Sequence, residues 1–440
     1  MNEMSMDTAW KQRLKSWMVP QFGTDSSGKE SVPAGLYHYQ FQRDDGYIRF
    51  HLRVERSGQS LLIAGASEAV RVSREGTPLL KRLLEGESGE TVARSFPAAA
   101  KPWIDRCAHV LKELGSPSAR FPVFNLGDPV EETRDAELIA PFQADVEIGE
   151  ADRLHAILRK LWDAGIPHAR FLPTASVSTE QLVQAVEWAE DLGMIAGVRS
   201  PAQWLMDSDR AKQVAAVGVD YLLAPWAVDP DLHRRWFAES DDSDLAGLIR
   251  HSHELEVTPV VEIPLVEASI DGLYEHWTKL AQWRIGHVEV YALARLDSEG
   301  VAEARGSDEA DSEAPLQATR LRQLAAWVEE SADDHAFQVT WLPPVGVTAT
   351  ETVDDQVRRG PRAGGDVTIR VLPNGDVLPP RGASQTAGNL LSESWEQIWS
   401  SSVFRRFRER VEANTRCDQC PGMVICAADC PADPRGWSHE

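Results

Sequence analysis

Between residues 144 and 293, six short apolar runs alternate with amphipathic stretches, and that alternation leaves few folds open. ADVEI (144–148), ARFLPT (169–174), MIAGV (194–198), YLLAPW (221–226), VVEIPL (260–265) and VEVYAL (288–293) are apolar enough to be strands covered on both faces. The helices between them, such as ADRLHAILRKLWDAG and STEQLVQAVEWAEDLG, have the length that a right-handed crossover between parallel strands requires. DSDRAKQVAAVG is expected to be one of these helices. The expected fold is α/β, with six units making a partial (β/α)6 TIM-like barrel rather than a closed eight-stranded one.

The barrel is expected to span residues 141–346. Ahead of it, YIRFHLRVE, LLIAG and AVRVS read as three strands, and EGTPLLKRLLEG, SGETVARSF and KPWIDRCAHVLKELG as three helices. They are expected to make a small independent α+β unit over residues 36–116, taken as winged-helix-like. Residues 1–35, with GTDSSGKES, read as a flexible lead-in, and 117–140, rich in Pro, Gly and charge, as a linker. The acidic run LDSEGVAEARGSDEADSEAP reads as a solvated loop, and residues 347–440 form a C-terminal extension.

With 45 Lys and Arg against 68 Asp and Glu, the chain carries a formal charge of -23. That charge repels phosphate backbones, so no nucleic-acid partner is expected; a cationic peptide or protein is favoured. No window reaches the roughly 18 consecutive apolar residues of a membrane helix, and MNEMSMDTAWKQRLKSW lacks the apolar centre of a signal peptide. The expected location is the cytoplasm, with no membrane contact.

Four of the five cysteines crowd into RCDQCPGMVICAADCP: Cys417, Cys420, Cys426 and Cys430, spaced Cys-x2-Cys-x5-Cys-x3-Cys. In a reducing compartment such a cluster signals a metal rather than disulfides, and Pro421-Gly422 supplies a tight turn. Spacing alone leaves zinc and iron-sulfur both open. Cys107 lies on the apolar side of its helix with Ile104, Leu111 and Leu114, which is the setting of a buried structural thiol.

The segment before the cysteines contains a hairpin turning at Asn374-Gly375-Asp376, then Gly388-Asn389-Leu390, then a helix through Trp395 and Ile398. This order resembles the SPASM and twitch extensions that follow the barrel of radical S-adenosylmethionine enzymes. The resemblance implies a metal-binding tail with one [4Fe-4S] cluster on Cys417, Cys420, Cys426 and Cys430, zinc being the alternative. Asp429, Asp433 or His439 could substitute for Cys430. The N-terminal unit resembles the PqqD-like peptide-recognition domain of pyrroloquinoline quinone biosynthesis, which implies a peptide partner, such as a leader peptide, or a modifying enzyme. In that family the edge of the sheet takes the peptide, here near Ala69 to Ser73.

The departures from the family are as informative. Its Cys-x3-Cys-x2-Cys motif after the first barrel strand is missing, since no cysteine stands between Cys107 and Cys417. Pro173-Thr174-Ala175-Ser176 replaces the loop that receives the methionine amino group, and Pro380 stands where an inner-cluster cysteine would be. S-adenosylmethionine is therefore not an expected cofactor, no catalytic residue is assigned, and the expected role is non-catalytic binding in peptide or protein modification. The alternatives are an electron-transfer partner of a modifying enzyme and a zinc-stapled scaffold.

Strand ends are where parallel α/β folds bind ligands, which singles out Arg199, Trp226, Glu262, Glu289 and Tyr291. Glu262, inside an apolar strand, is expected to pair with an arginine inside the barrel. His251 and His253 are two apart on a helix and face different ways, so they make a poor metal pair. Trp162, Trp188, Trp327 and Trp399 fall at helical core spacing and are expected to pack rather than bind.

Overall fold

The computed structural model describes residues 23–24, 30–43, 46–66, 68–114, 138–174, 176–237, 240–295 and parts of 315–404. The chain divides into two compact units: residues 1–125 with 135–139 and 162–167, and residues 126–134 with 140–161 and 168–440.

The first unit is an antiparallel sheet of β1 (Gly35–Arg43), β2 (Gly46–Val54), β3 (Ser60–Ala64) and β4 (Glu68–Val72), in that spatial order. Three of these strands match the sequence expectation. The fourth, β1, was missed although GLYHYQFQR alternates Tyr37, Tyr39 and Phe41 with His38, Gln40 and Gln42, the period of a half-buried strand. Cross-strand rows sort the two faces. Tyr37, Leu52, Leu62 and Val70 share one row, and Arg53, Leu61 and Arg71 share the neighbouring row on the opposite face.

Three helices follow: α1 (Gly76–Leu84), α2 (Gly89–Ser95) and α3 (Lys101–Leu114). Ser88 starts α2 by accepting the Thr91 backbone N–H on its hydroxyl, at 3.2 Å. The first row packs with Leu79, Leu80, Leu83, Leu84, Ile104 and Leu111 into a single core. Cys107 is half-buried against that core, and burial raises its pKa, so it stays a protonated packing residue.

The second unit carries the strand and helix alternation: β5 (Gln143–Glu147), α4 (Ala151–Asp163), β6 (His168–Leu172), α5 (Thr179–Leu192), β7 (Ile195–Arg199), α6 (Ala202–Met206), α7 (Arg210–Ala216), β8 (Tyr221–Pro225), α8 (Pro230–Trp236), α9 (Asp242–Glu254), β9 (Thr258–Leu265), α10 (Leu273–Gln282) and β10 (His287–Arg295). Strands β5 to β10 lie side by side in chain order, every pair parallel. The expected helix DSDRAKQVAAVG starts only at Arg210, because Ser208 and Asp209 both adopt a left-handed φ of 54° and break the run. Beyond β10, β11 (Gln338–Trp341) and β12 (Val345–Val347) pair with it in parallel. Beyond β5, β13 (Thr368–Val371) runs parallel, followed by the antiparallel β14 (Asp376–Leu378) and β15 (Gly388–Asn389).

This parallel sheet curls. Arg170 on β6 reaches Glu289 on β10 at 2.8 Å, although three strands lie between them. On a flat sheet four steps of about 4.8 Å would separate those strands, beyond the reach of the two side chains. Gly197 on β7 makes room on the inside of the curl: a Cβ there would lie 2.1 Å from the Tyr221 ring, whose hydroxyl shares a 2.7 Å hydrogen bond with His168. Gly197→Ala is expected to destabilise the chain by about 1–3 kcal/mol, read as a lower urea midpoint, because neither the buried ring nor the strand can retreat.

Candidate functional site

On the inner face of the curl, single charged side chains interrupt strands that are otherwise largely apolar. Asp145, Arg170, Arg199, Glu262 and Glu289 are all at least nine-tenths buried. Arg170 donates from Nε to Asp145 Oδ1 at 2.8 Å, from Nη2 to Oδ2 at 3.2 Å, and from Nη1 to Glu289 Oε2 at 2.8 Å. Arg199 grips Glu262 through Nε and Nη2 at 2.6 to 3.1 Å, and its Nη2 also donates to the Val357 carbonyl at 3.4 Å. The Arg170 guanidinium holds Asp145 below the usual carboxylate range against the opposing effect of burial, whereas burial outweighs Arg199 at Glu262 and raises its pKa. The expected pairing of Glu262 with an arginine inside the sheet is therefore observed, with Arg199 as the partner.

The neighbours of this network are neutral. His168 is wholly buried, and its pKa falls to about 3, chiefly by desolvation and then by Arg170. Tyr291 is also buried; its hydroxyl has no hydrogen-bond partner among the described residues, and burial keeps it protonated. Trp226 is buried and packs against His233 with ring centroids 3.8 Å apart and the planes tilted by 36°. His233 accepts the Ala227 N–H on Nδ1 and reaches the Ser240 carbonyl with Nε2, which fixes the neutral tautomer carrying its proton on Nε2.

At the carboxyl ends of β5 to β8 a cavity of about 470 Å³ opens. Leu172, Trp236 and Phe237 give it an apolar wall, and Glu147, Arg199 and Arg370 a charged one. Arg370, from β13, donates to Glu147 Oε1 through Nε at 2.9 Å and Nη2 at 2.6 Å. Trp236 is held by an indole N–H to Asp354 bond of 2.7 Å. The cavity has a size suited to a small molecule or one side chain of a peptide, and its charges already satisfy one another.

Of the residues singled out in the sequence, Arg199 lines this cavity and Glu262 lies directly behind it, Glu289 belongs to the adjoining pair, and Trp226 and Tyr291 are packing residues. His251 is half-exposed and His253 exposed, as a surface pair should be. Trp399 is buried, while Trp162, Trp188 and Trp327 are only half-buried. Asp145, Glu147, Arg170 and Arg370 were missed; their signal was an isolated charge, or in β5 a pair two residues apart, within strands that had to be covered on both faces. Cys417, Cys420, Cys426 and Cys430 lie outside the described residues, as do Pro380 and the acidic run at 296–314. Among the described residues, no group of three or more His, Cys, Asp or Glu is placed to hold a metal. Nor is any helix among them long and apolar enough to cross a membrane.

The hairpin that precedes the cysteines is built as its sequence implies. Gly375 takes φ 89° between β13 and β14, Asn374 bonds Asp376 across the turn, and Asn389 on β15 donates to the Asn374 carbonyl at 3.0 Å and to Asp376 Oδ1 at 2.8 Å. Ser394 and Gln397 box the start of α11 (Trp395–Trp399). Residues 364–421 match the SPASM family, described as an iron-sulfur cluster-binding domain. The matched span includes Cys417 and Cys420 and stops before Cys426.

No curated protein matches the chain. Among solved structures, SuiB of Streptococcus suis is similar over 87% of this chain and 96% of its own, at 14% identity and a TM-score of 0.53. SuiB bound to S-adenosylmethionine gives a TM-score of 0.55 at 14% identity, over 87% of this chain and 94% of SuiB. SuiB bound to its precursor peptide SuiA gives 0.53 at 14% identity, over 89% and 95%. At that identity the likeness is one of fold.

Two expectations test the network. Glu262→Gln leaves the buried Arg199 guanidinium uncompensated and should cost about 3–5 kcal/mol in urea unfolding, whereas Glu147→Gln, in a half-exposed pair, should cost about 1 kcal/mol or less. The second concerns pH. His168 and His276, the latter lowered to about 4 by burial, stay neutral in the fold while an unfolded histidine takes up a proton near pH 6.5. Stability should thus fall as pH drops from about 6.5 towards 4, and His276→Gln should flatten part of that slope in urea midpoints measured at each pH.

Proposed function

We propose that this chain is a binding component of peptide or protein modification that does not itself cleave S-adenosylmethionine. In this reading the curled sheet is a partial barrel of the radical S-adenosylmethionine type, the first unit is a winged-helix-like, PqqD-like peptide-recognition domain, and the tail is a shortened SPASM or twitch extension. The structure of SuiB with a precursor peptide supports a peptide partner for a chain of this fold.

The observation that carries the non-catalytic reading is the inner face of the sheet. Its guanidiniums and carboxylates are committed to each other in dry pairs, and no thiol stands anywhere from residue 108 to 416 to seat a cluster at the strand ends. The groups on the cavity wall can orient a ligand by charge and by the indole of Trp236; the hydroxyls of Thr174 and Ser200 also line it, but among the described residues no carboxylate or imidazole is hydrogen-bonded to either as a base.

The tail fits a metal. Cys417, Cys420, Cys426 and Cys430 are four soft donors within fourteen residues, following a segment of the iron-sulfur binding family. They would hold one [4Fe-4S] cluster, which supplies one-electron carriage when bound. The iron-sulfur match also favours a second reading, an electron-transfer partner of a modifying enzyme.

Anaerobically purified protein should contain about four iron and four sulfide per chain, lost in a Cys417→Ala, Cys420→Ala variant. Stoichiometric zinc without colour would remove the electron-transfer reading and leave zinc as the metal of the tail. Incubation with S-adenosylmethionine and dithionite should yield no 5′-deoxyadenosine above that variant; turnover above it would overturn the non-catalytic assignment.

A further inference from the structure

The charge of -23 is not spread along the chain. Residues 30–114 carry 12 Lys and Arg against 11 Asp and Glu, whereas residues 115–440 carry 29 against 54. The first unit is thus nearly neutral, and the expectation of a cationic partner, drawn from the total, does not apply to it.

Within this unit, β4 has a neighbour on one side only among the described residues, β3, so its outer edge offers backbone N–H and C=O groups to an added strand. The side chains of β4 split by face. Val70 and Val72 are half-buried and continue the apolar row that meets the helices. Arg71 points to the opposite face and is exposed, in the row of Arg53 and Leu61. Arg74, just past the strand, and Arg56, in the turn before β3, are exposed as well; Arg74 lies over Gly58 of that turn. Along an edge of this kind the face of each side chain on an added strand alternates in step with β4.

We infer that the β4 edge selects an extended peptide in which apolar and acidic residues alternate, the apolar set continuing the Val70 and Val72 row and the acidic set facing Arg71 and its neighbouring arginines. This rests on the peptide-binding reading above and adds to it the charge and pattern of the peptide. Opposite charges directly across a strand pair stabilise it, and like charges there oppose pairing, so a basic peptide in the same register meets repulsion at Arg71.

The test uses the full-length chain and three N-acetylated peptides of about ten residues, alternating Val with Glu, with Gln or with Lys. Binding is read by fluorescence anisotropy from low to high salt, and its location by amide hydrogen exchange across residues 68–72. The Glu peptide should bind about tenfold or more tightly than the Lys peptide at low salt, protect the β4 amides, and lose its advantage as salt rises. Arg71→Glu, an exposed change that leaves the core intact, should narrow or reverse the preference. Equal binding by all three peptides with β4 protected, or a preference for Lys, would overturn the acidic pattern and leave strand addition standing. If no peptide protects β4, this edge is not the docking strand and the peptide-binding reading of the first unit falls with it.

Discussion

Burying a guanidinium or a carboxylate in a protein interior is unfavourable by several kcal/mol per ion unless a partner of opposite charge sits within hydrogen-bond reach. The inner face of the parallel sheet buries two guanidiniums and three carboxylates at once. Their only satisfactory arrangement requires β6 to lie near β10 and β7 near β9, and this is met when the six strands curl into a common interior. The curvature and the charges therefore determine one another: a flatter sheet would leave Arg170 and Glu289 unpaired, and an apolar interior would not need them. Such pairs are weak sources of net stability, but they penalise every strand register that separates them.

In the proposed non-catalytic reading, the same commitment limits what the strand ends can do. Acid-base and nucleophilic chemistry need a group whose proton or lone pair is available and whose pKa is tuned toward the working pH. Here Asp145 is held ionised by Arg170, Glu262 is bound through both oxygens by Arg199, His168 is a neutral imidazole bonded to Tyr221, and His233 is a neutral imidazole with both nitrogens engaged. The cavity outside them keeps an ion pair, Glu147 with Arg370, that joins a strand of the SPASM-matching segment to the first strand of the parallel sheet. Through that pair and the backbone ladder of β13 with β5, a ligand in the cavity would touch both the sheet and the segment that leads to the cysteines.

The strand and helix alternation was legible because the strands are largely apolar and separated by amphipathic helices, some with clear caps, as at Ser178 and Gly193 around α5. The hairpin of β13 and β14 was legible because Asn-Gly-Asp admits few turns. Other features were missed for definite reasons. Strand β1 was legible in the strict alternation of Tyr37, Tyr39 and Phe41 with polar residues, and was passed over only because it adjoins the segment read as a lead-in. The break at Ser208 and Asp209 arises where non-glycine residues take left-handed backbone angles that propensity alone would not assign. Within the site, Glu262 stood out as one charge in an apolar strand, and its need for an arginine followed from desolvation. Asp145 with Arg170, and Arg170 with Glu289, did not stand out, because which strands meet across the curl is set by register and curvature that no single run encodes.

Net charge was the least local of the sequence quantities and the least useful. At physiological ionic strength charges are screened over about 8 Å, so a partner that adds to a strand edge responds to side chains one or two rows away and hardly to the sum over 440 residues. Around β4 those side chains are Arg56, Arg71 and Arg74, with Glu75 beside them, in a unit whose own charges nearly cancel. In the strand-addition proposal the sign of a bound peptide would be decided by the arginines that the alternation of β4 turns toward it, while the strongly acidic remainder would act on encounter rates and solubility.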